Sequence, residues 1–305
     1  GDFHFGELIF LRMALGEESK FFYVFGHPVL LSASPTIHIT GFRINEFPHS
    51  YERFDTPSLE EVLRKLLLSS TGGGSITIPH KEGLVPHMDE LTEAAQIIGA
   101  VNTVTRIATG LRGDNTDWIG IQRQLLPKLH RDGDKVGLIL GAGGTARAAA
   151  YAFRPLFSTV YIINRTMERA EELAREFGDA FIAVKDAECL MDLERLDAVM
   201  GTMPGPSNFT LPKGMLERHR PAVVEAAYKS SEAGSRFTAL LQDAIDAGCK
   251  TVEGIEMLFE QGCAQCELWT GQSAPRAEIA RALLKERFSD DEHPPPNLVF
   301  EAGLS

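Results

Sequence analysis

Long apolar runs are missing from this chain of 305 residues, and no stretch approaches the ~20 consecutive apolar residues that a membrane-spanning helix needs. Cysteine is sparse. The four residues Cys189, Cys249, Cys263 and Cys266 are too few for a disulfide scaffold, which points to a reducing, cytoplasmic setting. The close pair in C-A-Q-C, 263–266, has redox or zinc spacing but no second pair. It sits inside a helix-like run, so it reads as small packing residues, and no metal site is expected. Bases are in the minority, 30 against 42 acids, for a net charge of −12. Such a chain repels a phosphate backbone, which excludes nucleic acid as an expected direct partner. The opening GDFHFGELIFLRMALGEESK lacks the basic n-region and small-residue cleavage site of a secretory signal.

What is present is ordinary globular material, 44% hydrophobic and 24% charged, sufficient for one large or two moderate domains. FYVF (22–25) reads as a strand, followed by a turn at Gly26-His27-Pro28. SPTIHITGFRINEF has helical spacing, with Ser34 as N-cap and Pro35 at the first helical position. SYERFDT is a strand, and SLEEVLRKLLL an amphipathic helix opened by a Ser-x-x-Glu capping box. Gly72–Gly74 breaks the chain before a strand SITI (75–78); the helix ELTEAAQIIG and strands in AVNTVTRI and LRGDN follow. From KVGLIL (135–140) onward, strands in TVYIINRT, DAVMGTM and AVVEAAY alternate with helices. Further helices span TALLQDAIDAG, GIEMLFEQGCAQCELWTG and RAEIARALLKERF. The charged, proline-rich tail SDDEHPPPNLVFEAGLS reads as a linker or disordered end.

The stretch Gly141-Ala142-Gly143-Gly144-Thr145-Ala146 fits G-x-G-x-x-G/A between a strand and a helix. Glycines there allow a tight turn and close approach of a pyrophosphate to the helix N-terminus, where N–H groups and the dipole favour an anion. The next strand ends in Asn164-Arg165-Thr166, with Arg169 one turn on. An acid at this place would bond a ribose 2′-hydroxyl, whereas guanidiniums suit a 2′-phosphate. NADP is therefore favoured over NAD.

Several motifs stand with this loop in a fixed order: GHPVLLSASP (26–35), SITIPHK (75–81), GAVNTV (99–104), GDNTDW (113–118) and GIEMLFEQ (254–261). Together they resemble the shikimate dehydrogenase family over roughly residues 22 to 286. The resemblance implies a discontinuous α/β substrate domain, 22–118 and 255–288, and a doubly wound Rossmann-type NADP-binding domain, 119–254. The ligand is expected in a cleft between them. It implies reversible hydride transfer between NADPH and the ring ketone of 3-dehydroshikimate. Ser32 and Ser34 then bind the substrate carboxylate, Thr77, Asn102 and Gln261 its hydroxyls, and Tyr228 a further substrate group. Lys81 and Asp117 serve proton transfer: an alkoxide forming on reduction needs a proton, which an ammonium supplies, and a carboxylate holds that ammonium in place.

Some positions depart from the family pattern. Leu31 stands where histidine is frequent, and Ile39 where asparagine is usual. Gly201-Thr202-Met203-Pro204 and Glu225-Ala-Ala-Tyr228 resemble the fungal branch, in which this domain ends a pentafunctional arom-type polypeptide. Residues 1–21 then read as the tail of a preceding domain, and 289–305 as a C-terminal tail. That branch has a non-enzymatic relative in the fungal quinate-pathway repressor, a ligand-sensing module with a protein partner and a nuclear setting. Leu31 and Ile39 fit the sensor. The retained Lys81, Asp117, glycine loop and Asn-Arg-Thr fit the enzyme, which is the favoured reading. Quinate with NAD is a further alternative, against which Arg165 and Arg169 argue.

Overall fold

The computed structural model describes residues 18–130, 133–203, 208–228, 236–289, 291 and 293–304. Most of the expected N-terminal tail, and Pro204, lie outside them. The chain forms two compact units: Gly1–Gln96, Ala100–Thr116 and Gln261–Ser305 contribute to unit 1, Ile97–Gly99 and Asp117–Glu260 to unit 2.

Unit 1 holds a six-stranded sheet of β1 (Phe21–Gly26), β2 (Ser50–Asp55), β3 (Thr71–Ile76), β4 (Glu90–Leu91), β5 (Thr103–Ile107) and β6 (Gly110–Asp114), in the order β2-β1-β3-β5-β6-β4. β1 pairs in parallel with β2 and β3, while β5 runs antiparallel to β3 and β6. Because side chains alternate across a strand, Phe22 and Val24 enter one core with Phe42, Tyr51 and Trp269. Tyr23 and Phe25 enter another with Val62, Leu66 and Val104. Burying a phenylalanine such as the fully enclosed Phe25 is worth about 2–3 kcal/mol.

Two expectations fail in this unit. Gly72, Gly73 and Gly74 do not break the chain but begin β3, which starts at Thr71. The reason is the aromatic density of β1. A Cβ on Gly72 would fall 2.5 Å from the Phe22 ring, and one on Gly74 2.6 Å from that of Phe25. The proline-rich tail does not remain a linker: Pro296–Glu301 forms a helix with Leu298 buried, held by the Arg276–Glu301 ion pair and an Arg281 bond to the Ala302 carbonyl. A smaller difference concerns the helix Ser34–Ile44, whose N-cap is Ala33 rather than Ser34. In the helix Leu59–Leu67, Ser58 does accept from the Glu61 N–H, but the Glu61 carboxylate turns to Thr56 instead of closing the capping box.

Unit 2 holds β7 (Val136–Leu140), β8 (Thr159–Ile163), β9 (Phe181–Ala183), β10 (Ala198–Gly201), β11 (Ala222–Glu225) and β12 (Lys250–Val252). All pair in parallel, in the order β12-β11-β10-β7-β8-β9. This is the doubly wound arrangement, whose strand order reverses between β7 and β10. Its strands are near-continuous apolar runs because both faces are covered: Leu138, Ile139, Val199, Met200 and Val223 are fully buried.

Candidate active site

At the reversal point of unit 2, β7 passes into the turn Gly141–Gly144 and the helix Gly144–Phe153. Gly141 has φ +119°, a region that side chains disfavour, and a Cβ there would lie 2.3 Å from Thr202 Oγ1. The Thr202 N–H and hydroxyl both donate to the Leu140 carbonyl, at 3.0 and 2.8 Å, so the end of β10 is stitched to the turn. Gly143 is the N-cap and lays no side chain over the helix start. The first bond of the helical ladder runs from Arg147 N–H to Gly143 O, so the amides of Gly144, Thr145 and Ala146 precede it. The interior of this helix is lined by Ala146, Ala148, Ala149, Ala150 and Ala152, all fully buried, which brings it close to the sheet. This turn fits a pyrophosphate.

Beyond β8, Asn164 donates through Nδ2 to the Thr166 carbonyl at 2.8 Å, closing a small turn from which Arg165 and Thr166 project into solvent. Arg169 is likewise exposed, and its N–H bonds the Thr166 carbonyl. Beyond β11, Glu225 is buried. Its carboxylate accepts from Ala227 N–H and from Thr238 Oγ1, both at 3.1 Å, and desolvation raises its pKa. Tyr228 follows on a partly exposed segment. Asp117 opens the helix Asp117–Leu125 and is 5% exposed.

In unit 1, β1 ends at Gly26, where a Cβ would meet Thr77 Cγ2 at 2.3 Å; the missing side chain is what admits Thr77. Asp55 ties down the turn that follows, accepting from Val29 N–H at 2.8 Å and meeting His27 Nδ1 at 2.6 Å. These contacts, the Val29 bond first, hold its carboxyl below the usual range. The turn delivers Ser32, whose hydroxyl donates to Ser34 Oγ at 3.1 Å, while Arg53 binds the Ser32 carbonyl. Two hydroxyls thus sit side by side. Lys81 is half-buried, and its carbonyl accepts from Val101 N–H at 2.8 Å, which sets it next to the segment that carries Asn102 into β5.

Asn102, Thr116 and Gln261 come from three separate segments and form one buried cluster. Asn102 Nδ2 donates to Gln261 Oε1 at 3.0 Å and to Thr116 Oγ1 at 2.9 Å, and Asn102 Oδ1 accepts from Thr116 N–H at 2.7 Å. Sequence reasoning missed the next layer. Gln265, one turn after Gln261 in the helix Gly254–Thr270, donates to the Asn102 carbonyl and Thr103 Oγ1, and accepts from Ser75. The i, i+4 spacing of the two glutamines was the available signal. Cys263 and Cys266, in the same helix, are buried; Gly41 approaches so closely that a Cβ there would lie 2.5 Å from Cys266 Sγ. Burial pushes the Cys266 thiol up to about 11.

A doubly wound sheet with a glycine turn at its reversal point, joined in one chain to a second α/β unit rich in hydroxyls and amides, defines a dinucleotide-binding protein with a separate polar site. Known proteins make the class specific. Residues 24–104 match the shikimate dehydrogenase substrate binding domain, 123–224 match shikimate / quinate 5-dehydrogenase, and 254–284 match the shikimate 5′-dehydrogenase C-terminal domain. The pentafunctional AROM polypeptide of Lachancea thermotolerans is 36% identical over an alignment of 297 positions that covers 89% of this chain and 18% of that polypeptide. The dehydroquinate dehydratase and shikimate dehydrogenase structure of S. pombe AroM is 33% identical with a TM-score of 0.70, covering 93% of this chain and 56% of that one. Shikimate 5-dehydrogenase of Thermus thermophilus, solved with NADP(H) and shikimate, is 32% identical with a TM-score of 0.70, covering 87% of this chain and 99% of that one. The chain belongs to the shikimate dehydrogenase family.

Proposed function

We propose that the chain interconverts 3-dehydroshikimate and shikimate with NADP as cofactor. The observation that carries this reading is the buried cluster of Asn102, Thr116 and Gln261, together with the paired hydroxyls of Ser32 and Ser34. Neutral amides and hydroxyls suit a small polyhydroxylated acid, where an apolar pocket would not.

NADP supplies the hydride chemistry when bound. The Gly141–Ala146 turn would hold its pyrophosphate, and Arg165 and Arg169 its 2′-phosphate, the exposed guanidiniums being well suited to charge-assisted bonds. On the substrate side, Ser32 and Ser34 bind the carboxylate, Thr77, Asn102 and Gln261 orient the ring hydroxyls, and Tyr228 adds a contact. Lys81 delivers a proton to the carbonyl oxygen as the ketone is reduced and takes one from the hydroxyl in the reverse direction. Asp117 is assigned as counter-charge to the Lys81 ammonium, following the family motif. The relatives that are AROM polypeptides imply a place for this chain within a larger multidomain protein; their other activities are not assigned to it.

One observation favours a rival. Leu31 and Ile39 are 49% and 48% exposed at positions where polar residues are usual in the family, as in a sensing module that binds a pathway metabolite without turnover. A single assay separates the two. Shikimate and NADP should generate NADPH absorbance, and Lys81→Ala should lower kcat by roughly 100-fold or more. Calorimetric binding of shikimate without any turnover would refute the enzyme and support the sensor.

A further inference from the structure

The polar cluster of unit 1 extends inward as a relay of neutral groups, and two backbone groups dictate its direction. The Thr116 N–H can only donate, so the Asn102 side-chain atom 2.7 Å away is Oδ1. Asn102 Nδ2 is therefore the atom 3.0 Å from Gln261, and Gln261 must turn its acceptor, Oε1, toward it. At the other end, the Asn102 carbonyl can only accept, so the Gln265 atom 3.0 Å away is Nε2, which also reaches Thr103 Oγ1 at 2.9 Å. The Thr103 hydroxyl in turn donates a hydrogen bond to Asn102 Oδ1 at 2.6 Å. Gln265 Oε1 then faces Ser75 Oγ at 2.7 Å and His38 Nε2 at 3.2 Å, and Tyr51 donates to Ser75 at 2.7 Å.

This polarity has a consequence at His38. The ring must carry its proton on Nε2, leaving Nδ1 bare. Nδ1 is indeed a buried side-chain nitrogen without a hydrogen-bond partner. The ring is enclosed by Phe42, Tyr51 and Trp269, at centroid distances of 6.3, 4.5 and 4.7 Å. Orienting an amide this firmly serves little purpose in packing alone, since an apolar side chain of equal volume fills space without polar atoms to satisfy.

We infer that Gln265 is a positioning residue: by donating to Thr103 Oγ1 and to the Asn102 carbonyl it turns the Thr103 hydroxyl toward Asn102 Oδ1 and so helps hold the Asn102 amide, whose Nδ2 faces Gln261 Oε1. The inference rests on the reading of Asn102 and Gln261 as substrate contacts.

Gln265→Glu tests it. The carboxylate keeps the shape but cannot donate to the Asn102 carbonyl or Thr103. The KM for shikimate should rise roughly 10- to 100-fold while the KM for NADP stays within about twofold. The carboxylate would also let His38 ionise, so the shikimate KM of the variant should change between pH 5 and 8 where that of the wild type does not. Gln265→Leu should lose affinity in the wild-type background and very little more in Asn102→Ala, since both act on one amide. Additive losses, or a folded Gln265→Glu with unchanged shikimate KM, overturn the positioning role alone. Nitrogen-15 NMR of His38 in the wild type gives a measurement independent of activity: a neutral ring protonated on Nε2 is expected, and protonation on Nδ1 overturns the relay. If the wild type neither binds nor turns over shikimate, the substrate assignment of Asn102 and Gln261 falls, and the positioning role with it.

Discussion

Acid should loosen unit 1 through His38. The imidazole is fully enclosed, and burial pushes its pKa from 6.5 down to about 3, with the Gln265 hydrogen bond acting weakly the other way. In the unfolded chain the same ring titrates near its ordinary value. Between about pH 6.5 and 3 the unfolded state therefore takes up a proton that the folded state refuses, and stability falls by about 1.4 kcal/mol per pH unit. From pH 7 to pH 5 this amounts to about 2 kcal/mol, a large fraction of an ordinary folding free energy. Trp269 lies tilted against the ring, centroids 4.7 Å apart, and reports on its surroundings, so urea unfolding followed by tryptophan fluorescence in a Trp118→Phe background reads the right region. His38→Phe keeps an aromatic shape without the titrating group. It should be destabilised at pH 7, having abandoned Gln265, yet lose about 2 kcal/mol less than the wild type on going to pH 5. Equal losses in the two proteins would refute the assignment of a neutral, enclosed His38.

Other outcomes follow from unit 2. Gly141→Ala places a Cβ on Thr202 Oγ1 at positive φ, so it should cost about 1–3 kcal/mol in stability, and NADP binding by fluorescence titration should weaken by more than tenfold. Arg165→Ala with Arg169→Ala should lower NADP affinity by roughly tenfold per guanidinium while leaving NAD nearly unchanged; equal losses for both cofactors would remove the 2′-phosphate assignment. Glu225 has a raised pKa, so its contribution to stability is present below about pH 4.5 and is lost as the pH rises through the folded-state value. Glu225→Gln removes that loss. Denaturant midpoints should therefore show the variant gaining on the wild type between pH 4 and pH 8, and parallel profiles would contradict a desolvated carboxyl.

How much of this was legible in the sequence depended on whether the cause was local. The glycine turn at 141–144 and its neighbouring strand and helix could be read directly, because the φ that Gly141 adopts and the bare cap at Gly143 are local backbone requirements that only certain residues meet. The helix Met167–Phe177 was legible for the same reason: Ala170, Leu173, Ala174 and Phe177 repeat on one face and are buried. Gly72–Gly74 misleads because glycine there answers to a different strand. Nothing in T-G-G-G-S-I announces that the Phe22 and Phe25 rings will lie over it, so a residue type that usually ends regular structure reads as a break.

The buried relay marks the harder limit. Asn102 and Gln261 could be named from motifs, but Gln265 looks like helix packing, His38 like one more residue of a capped helix, and Ser75 like strand filler. Their meaning lies in pairings across 190 and 227 positions, from Gln265 to Ser75 and to His38, which no local pattern encodes. Once the fold brings them together, the constraint becomes strict. Each buried polar atom must find a partner, a backbone N–H can only give and a carbonyl only take, and two such groups settle the orientation of every side chain between them. The orphaned His38 Nδ1 is the remainder of that accounting: the cluster has one acceptor too many, and it lies on the ring that Gln265 faces rather than on a group bonded to Gln261.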